Sequence, residues 1–362
     1  MANRVFNFYA GPATLPLDVL KIAQDELLDY RGTGMSIMET SHRAPSYDEV
    51  HQAAMALAKE VMGLGDEYKV LFLQGGASTQ FALVPLNFLG AGRTAAYVDT
   101  GTWSTKAIKE AKKIGNVHVA ASSEDADYTF IPKPGDIDCP GDAAYLHITT
   151  NNTVRGTQYH ELPDAAGVPL VADMSSDICS RRTDFSKFSL IYAGAQKNLG
   201  PSGCTMVVIK ESLLDKCNDG LLTMFDYRTH AAKDSLFNTP PTFAVYIIKL
   251  VLEWIKARGG LEALEKVNAA KKDAVYEMID GSAGYYTSPV EPSSRSWMNV
   301  VFRLPSEELE KKFVAEAAEA GMMGLKGHRS VGGIRASLYN AMPLEGAQKL
   351  AQFMEDFKKA NR

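Results

Sequence analysis

Val171-Ala-Asp173-Met-Ser-Ser176 and Leu190-Ile-Tyr-Ala-Gly-Ala-Gln-Lys197-Asn-Leu-Gly-Pro-Ser-Gly203 are the stretches on which the fold turns. Each starts as a short apolar run suited to a strand buried on both faces, and each ends in polar or small residues. Asp173 closes the first run. In the second, Ala193, Gly194, Ala195 and Gly200 surround Lys197 and let a bulky group approach the backbone. Similar runs recur at 70–73, 94–98, 116–120, 144–148 and 205–209, with helical spacing at 18–30 and 47–62. Short buried strands alternating with helices predict an α/β fold with a mainly parallel sheet covered on both faces. Further on, 242–257 reads as a helix ended by Gly259-Gly260, and 261–279 as another. Strand-like segments at 297–302 and 333–337 then alternate with helical ones at 307–320 and 344–359. We therefore expect an irregular N-terminal arm over 1–15, a large domain over 16–267 and a smaller α+β C-terminal domain over 268–362.

Composition narrows the classes of function. A chain of 362 residues, 46% hydrophobic and 22% charged, can bury more than one core, and a net charge of -5 argues against nucleic acid or an anionic membrane as partner. The N-terminus has no apolar run long enough for a signal peptide, and no later stretch spans a bilayer, so a cytoplasmic location with no membrane partner is expected. Cys139, Cys179, Cys204 and Cys217 lack C-x-x-C spacing and read as reduced structural thiols. His328-Arg329 has no metal-ligand partners nearby, so no metal is expected. Gly90-Ala-Gly92-Arg-Thr-Ala95 has the spacing of a dinucleotide loop but precedes a strand instead of following one, which rules it out.

The residues at the strand ends suit pyridoxal 5'-phosphate. That cofactor needs a lysine to carry it, an acid at the pyridine nitrogen, a flat group against the ring and a cup for the phosphate. Lys197, once desolvated, can serve as carrier, nucleophile and proton-transfer group. Taken singly it would be a surface lysine. Asp173, at the end of the neighbouring strand, reverses that reading, because a carboxylate there can hold the pyridinium proton. Gln74-Gly-Gly-Ala-Ser-Thr-Gln80 follows a strand and opens an apolar helix, whose N–H groups and dipole bind phosphate. On its own it reads equally well as a glycine turn with a Ser/Thr cap. Trp103, just past the strand at 94–98, can stack on the ring, and Thr153, after another strand, can hydrogen-bond the cofactor.

These residues lie in motifs that run the length of the chain: Phe6-Asn-Phe-Tyr-Ala-Gly-Pro-Ala13, Ser41-His-Arg43, Gln74-Gly-Gly-Ala-Ser78, Ala193-Gly-Ala-Gln-Lys-Asn198, Phe237-Asn-Thr-Pro-Pro-Thr242 and His328-Arg-Ser-Val-Gly-Gly-Ile-Arg-Ala-Ser-Leu-Tyr-Asn-Ala341. In them the chain closely resembles the phosphoserine aminotransferase family, within the class V, fold-type I pyridoxal-phosphate enzymes. The resemblance implies Lys197 as Schiff-base lysine, Asp173 on the pyridine nitrogen, Trp103 stacked and Thr153 on the ring. It implies Ala77, Ser78 and Gln196 around the phosphate. Asn238 and Thr239 would reach the cofactor phosphate of a neighbouring subunit, hence a homodimer with shared active sites. Arg335 would hold the substrate α-carboxylate, and His42, Arg43, His328 and Arg329 would face the other end of the substrate. The implied reaction is a reversible ping-pong exchange of an amino group between glutamate and 3-phosphohydroxypyruvate in serine biosynthesis, with pyridoxine biosynthesis as a second role in many bacteria. Two residues depart from the common pattern. Ser78 stands where many relatives carry arginine, and Asn152 replaces the glutamate of an Asn-Glu-Thr motif. A cysteine desulfurase of the same fold needs a cysteine in the small domain, and none of the four lies beyond Cys217. A catalytically silent phosphate-binding protein would take up no cofactor.

Overall fold

The computed structural model describes residues 4–361. Its central sheet has seven strands in the order Tyr68–Leu73, Thr205–Lys210, Leu190–Gly194, Leu170–Asp173, Leu146–Thr149, Thr94–Asp99 and Asn116–Ser122. From Leu190–Gly194 outward to Asn116–Ser122 every pairing is parallel, whereas Thr205–Lys210 is antiparallel to both its neighbours. Tyr68–Leu73 therefore points the same way as the parallel strands. Leu73, Asp99, Thr149, Asp173 and Gly194 all end at one edge of the sheet, where ligands of open α/β sheets gather.

Side chains alternate across the strands, so each strand feeds two cores. Met206 and Val208 point to one face, covered by the helices Pro45–Met62 and Thr242–Ala257. Val207 and Ile209 point to the other, covered by Gly76–Phe88 and Thr102–Ala111. With both faces covered, Leu190–Gly194 is buried at every position, which is why it shows no polar alternation. A third core lies in the C-terminal part. Val300 and Phe302 of the strand Asn299–Phe302, with Ile334 and Ala336 of its antiparallel partner Ile334–Ser337, pack against Val275, Phe313 and Phe357.

The sheet strands fall on the expected apolar runs, and the helix Thr242–Ala257 has the expected bounds. The first helix is shorter than expected, Leu17–Asp25, and gives way to a 3-10 turn at Tyr30–Gly32 in which Arg31 has φ 51. Its spacing misled because Leu28, 86% exposed, does not face a core of its own chain. The arm is not irregular throughout: Phe6–Asn7 pairs in parallel with Met322–Met323. Residues 1–3 of that expected arm lie outside the described residues. The boundary expected at 268 falls inside one continuous helix, Gly260–Asp280. Leu264 of this helix packs in a large-sheet core, whereas Val275, Tyr276 and Ile279 pack in the third core.

Thr153 sits in the turn of a small hairpin formed by Asn151–Asn152 and Thr157–Gln158. The turn closes at Gly156 with φ +79, and a Cβ there would lie 2.8 Å from the Val301 side chain and 3.0 Å from the Asn299 carbonyl oxygen. Only glycine meets both demands without strain. Gly156→Ala should destabilise the fold by roughly 1–3 kcal/mol, read as a lower urea midpoint with an unchanged slope. An unchanged midpoint would show that the close approach does not constrain the fold.

Candidate active site

The loops leaving the shared strand edge line one cavity of about 150 Å³. After Tyr68–Leu73 come Gly76, Ala77, Ser78 and Phe81; after Thr94–Asp99, Trp103; after Leu146–Thr149, Asn151 and Thr153. Leu170–Asp173 contributes Asp173, Ser175 and Ser176, and Leu190–Gly194 leads to Gln196 and Lys197. Topology alone thus gathers residues separated by more than a hundred positions in sequence.

Lys197 lies in a tight turn in which Ala195 N–H donates to Cys204 O at 2.9 Å and Gly200 N–H to Ala195 O at 2.8 Å. The N-terminal arm closes over this turn, Ala13 N–H donating to Gln196 O at 2.8 Å. The Lys197 Nζ donates to Thr153 Oγ1 at 2.8 Å and lies 5.9 Å from the Trp103 ring centroid. Burial is the main reason its pKa falls to about 8; Asp173 opposes the fall and Arg335 adds to it. Asp173 is buried too, and burial raises its carboxyl, countered by hydrogen bonds from Ser175 and by the Lys197 charge. The Ser175 N–H donates to Asp173 Oδ1 at 2.9 Å, and the Ser175 hydroxyl accepts from Gly194 N–H at 3.1 Å, tying the two strand ends together.

The helix Gly76–Phe88 starts after Gly75, at φ 92, with no side-chain cap, so its first N–H groups remain available to an anion. Trp103 stands in the first turn of Thr102–Ala111. Ser104 fixes that turn: its hydroxyl accepts from Thr100 and Gly101 N–H at 2.9 Å each and donates to Asp99 Oδ1 at 2.8 Å. These groups fit pyridoxal phosphate. A buried amine rests on a hydroxyl, a buried carboxylate faces the same cavity, and an uncapped helix N-terminus borders it. Trp103 Nε1 and Arg335 Nε are buried donors with no partner, as befits a site for an anionic ligand.

Arg335, on the strand Ile334–Ser337, reaches Thr153 O at 3.4 Å, so it stands beside the Lys197 partner. His328 holds Ser330 Oγ at 2.7 Å, and its pKa is lowered by burial and then by Arg335, Arg329 and Lys106. Arg329 is exposed and has no ion pair among the described residues. Of the expected substrate and phosphate residues, Asn238, Thr239, His42, Arg43, His328, Arg329 and Arg335 do not line the cavity itself. Gln74 nonetheless donates to Thr239 O at 3.0 Å, holding that loop beside the start of the helix Gly76–Phe88. Of the two departures, Ser78 lines the cavity. Asn152 instead turns inward and donates to the hydroxyls of Thr100 and Thr157 at 3.0 and 3.2 Å.

Some residues of the site escaped the sequence. Ser175 and Ser176 follow Asp173 after Met174, at the polar end of an apolar run, yet they carry no chemical motif. Lys106, with Nζ 4.5 Å from the Trp103 ring centroid, follows Trp103 at the i, i+3 spacing that stacks side chains on one helix face. That spacing was the available clue.

Residues 5–350 match the class-V aminotransferase family. The chain is 56% identical over 357 residues to the phosphoserine aminotransferase of Geobacillus kaustophilus, covering 99% of each chain. It is 55% identical over 363 residues to that of Desulfosudis oleivorans, covering 100% of each. Its structure superposes on the phosphoserine aminotransferase of Bacillus circulans subsp. alkalophilus with a TM-score of 0.98, at 53% identity and 100% coverage of both chains. The pyridoxal-phosphate-bound phosphoserine aminotransferase of Trichomonas vaginalis gives a TM-score of 0.92 at 36% identity, covering 97% of this chain and 100% of that one. Agreement this close over the full length means that the chain belongs to the class-V aminotransferase family, among its phosphoserine aminotransferases.

Proposed function

We propose that this chain exchanges an amino group between glutamate and 3-phosphohydroxypyruvate, giving O-phosphoserine and 2-oxoglutarate, with pyridoxal 5'-phosphate carried on Lys197. One observation carries this reading. Lys197 and Asp173 are buried in one cavity with Trp103 and Thr153, and two cations border those lining residues: Arg335 donates to Thr153 O at 3.4 Å and Lys106 Nζ lies 4.5 Å from the Trp103 ring centroid. The product belongs to serine biosynthesis.

Bound pyridoxal phosphate supplies an electron sink for the bond broken at the substrate α-carbon. The chain supplies binding and proton transfer. A Lys197 amine with a pKa near 8 has a usable neutral fraction near neutrality, so it can act as nucleophile and then carry the proton leaving the α-carbon. The Thr153 hydroxyl holds that amine when it is free. Asp173 would hold the proton of the pyridine nitrogen, Trp103 would cover the ring, and the N-terminus of Gly76–Phe88, with Ala77, Ser78 and Gln196 beside it, would take the phosphate. Arg335 takes the α-carboxylate common to both substrates, in the bidentate manner its planar guanidinium allows. His328, Arg329 and Lys106 meet the far end, a carboxylate in one substrate and a phosphate in the other.

His42, Arg43, Asn238 and Thr239, none of which lines the cavity of its own chain, we assign to the site of a second copy in a homodimer on the strength of their motifs. We place the enzyme in the cytoplasm. No helix among the described residues is long and apolar enough to cross a membrane.

The direct test is a coupled assay of glutamate with phosphohydroxypyruvate against hydroxypyruvate. The phosphorylated substrate should be preferred by at least about tenfold in kcat/KM, the worth of one charged hydrogen bond. Equal turnover of both would overturn the phosphate reading.

Lys197 makes a pH prediction. Its lowered pKa means that the neutral amine is scarce below about 8 and abundant above it. Uptake of pyridoxal phosphate by the cofactor-free protein, followed by absorbance, should speed up about tenfold per pH unit below that value and level off above it. A rate independent of pH across this range would contradict the assignment.

Removing single cations should separate the two ends of the substrate. Arg329→Ala and Lys106→Ala should each lower kcat/KM for phosphohydroxypyruvate by roughly tenfold to a hundredfold, with a smaller loss for glutamate and the smallest for hydroxypyruvate. Arg335→Ala should impair all three, because each carries an α-carboxylate. Equal losses on phosphorylated and unphosphorylated keto acids in the first two variants would remove those cations from the phosphate site.

A further inference from the structure

Lys271, in the middle of the helix Gly260–Asp280, has no exposed surface. Its Nζ donates to the carbonyl oxygens of Leu338, Tyr339 and Met342 at 2.9, 2.8 and 3.1 Å, and no carboxylate pairs with it among the described residues. Three donations require the three N–H bonds of the ammonium; a neutral amine has only two. Burial works against that charge and pulls the pKa down to about 7. The three carbonyls are the compensation that a buried cation needs.

Those carbonyls belong to the turn that leaves the strand Ile334–Ser337, on which Arg335 stands. The same turn is tied to the loop of Lys197. Asn340 N–H donates to Asn198 Oδ1 at 3.0 Å, and the Asn340 side chain donates to Cys179 O at 2.9 Å. Asn268, three residues before Lys271 on the same helix, donates to Asn340 Oδ1 at 3.0 Å and to Ser180 O at 2.6 Å. The Tyr339 hydroxyl donates to Ala10 O at 2.8 Å. Arg335 on one side and the neighbour of Lys197 on the other are thus joined by one buried polar knot, whose charge is that of Lys271.

We propose that Lys271 is a positioning residue: its ammonium fixes the 338–342 turn, and through it the placement of Arg335 relative to Lys197. A substrate held by its α-carboxylate then presents its α-carbon to the amine. The inference rests on the reading of Arg335 as the α-carboxylate partner.

The test is Lys271→Met, which keeps the length of the side chain and removes all three donors, made in the wild-type and Arg335→Ala holoenzymes. Hydrogen exchange should speed up at residues 335–342 and stay unchanged in Leu170–Asp173 and Leu190–Gly194. KM for glutamate and for phosphohydroxypyruvate should both rise roughly tenfold while kcat moves by less than about threefold. In the Arg335→Ala background the same substitution should add less than about twofold, because two residues acting through one contact are not additive. Unchanged exchange and KM would overturn the proposal. So would faster exchange throughout the sheet with losses that multiply in the double variant, since that describes general loosening. If Lys271→Met does not accumulate folded, Asn268→Ala, which removes a neutral part of the same knot, takes its place in the same measurements, and the same outcomes support or overturn the proposal. A wild-type enzyme inactive on both substrates would instead overturn the proposed function, while localised exchange in Lys271→Met would still support the fixing of the turn.

Discussion

Taking the Lys197 amine out of water disfavours its charged form, and the groups around it answer to that constraint. Asp173 has the same problem with the opposite sign: burial pushes its carboxyl up as it pushes the amine down. The two could relieve each other by closing into an ion pair, but they do not. Lys197 donates to Thr153 and Asp173 accepts from Ser175, so each is held by a neutral partner and the space between them stays open. A contact ion pair would close that space and leave no room for a ring. The hairpin carrying Thr153 and the turn after Asp173 keep the groups apart, and both belong to the one sheet edge.

The outer part of the site has a cost of a different kind. Arg335, Arg329 and Lys106 all act on His328 in the same sense, and no carboxylate among the described residues opposes them there. Arg335 is partly buried with an unpartnered Nε, a donor whose lost hydration nothing in the chain returns. Like charges gathered without counter-ions destabilise a fold unless a ligand supplies the missing negative charge. In a chain with net charge -5, such a local excess of cations has to be built against the overall balance. On the proposed function, a dianionic substrate end would relieve it more fully than a single carboxylate would.

Much of this was legible in the sequence because local pattern and burial agree. The run Leu190-Ile-Tyr-Ala-Gly is apolar throughout, and the strand is buried at every position; residues 242–257 have helical spacing up to Gly259, and the helix ends at Ala257. Asp173 and Lys197 stand where polar residues break those runs. What stayed hidden depends on distant partners. The pairing of Phe6–Asn7 with Met322–Met323 joins the N-terminal arm to the C-terminal part of the chain and leaves no periodic trace in a two-residue strand. Lys271 looks like any solvated helix lysine beside Lys272, and the carbonyls that bury it lie about seventy positions away. The helix that carries it belongs to two cores at once, so no break in pattern marks a boundary at 268. Lys106 gains its meaning only from the ring it covers.

The two departures from the common pattern have different physical standing. Asn152 lies behind the cavity, under Gly101. A Cβ on Gly101 would come within 2.9 Å of Asn152 Oδ1, so the short amide and the missing side chain fit each other. The pair holds the hairpin that carries Thr153 to the turn that starts the Trp103 helix, through hydrogen bonds to Thr100 and Thr157. This substitution concerns how two loops meet and touches no reacting atom. Ser78 does line the cavity, at the start of a helix whose N–H groups have no side-chain cap. There the lining residues Gly76, Ala77, Ser78 and Gln196 offer backbone donors, a hydroxyl, an amide and the helix dipole, with no cation among them. A positive charge does stand on another helix, at Lys106, one turn beyond Trp103 with its Nζ 4.5 Å from that ring, where we have proposed that it meets the far end of the substrate. A lysine in that place is a mobile point charge on a flexible stem, without the planar fork of an arginine. Such a group adapts more readily to two anions of different shape, and a ping-pong enzyme must receive both a carboxylate and a phosphate at one position.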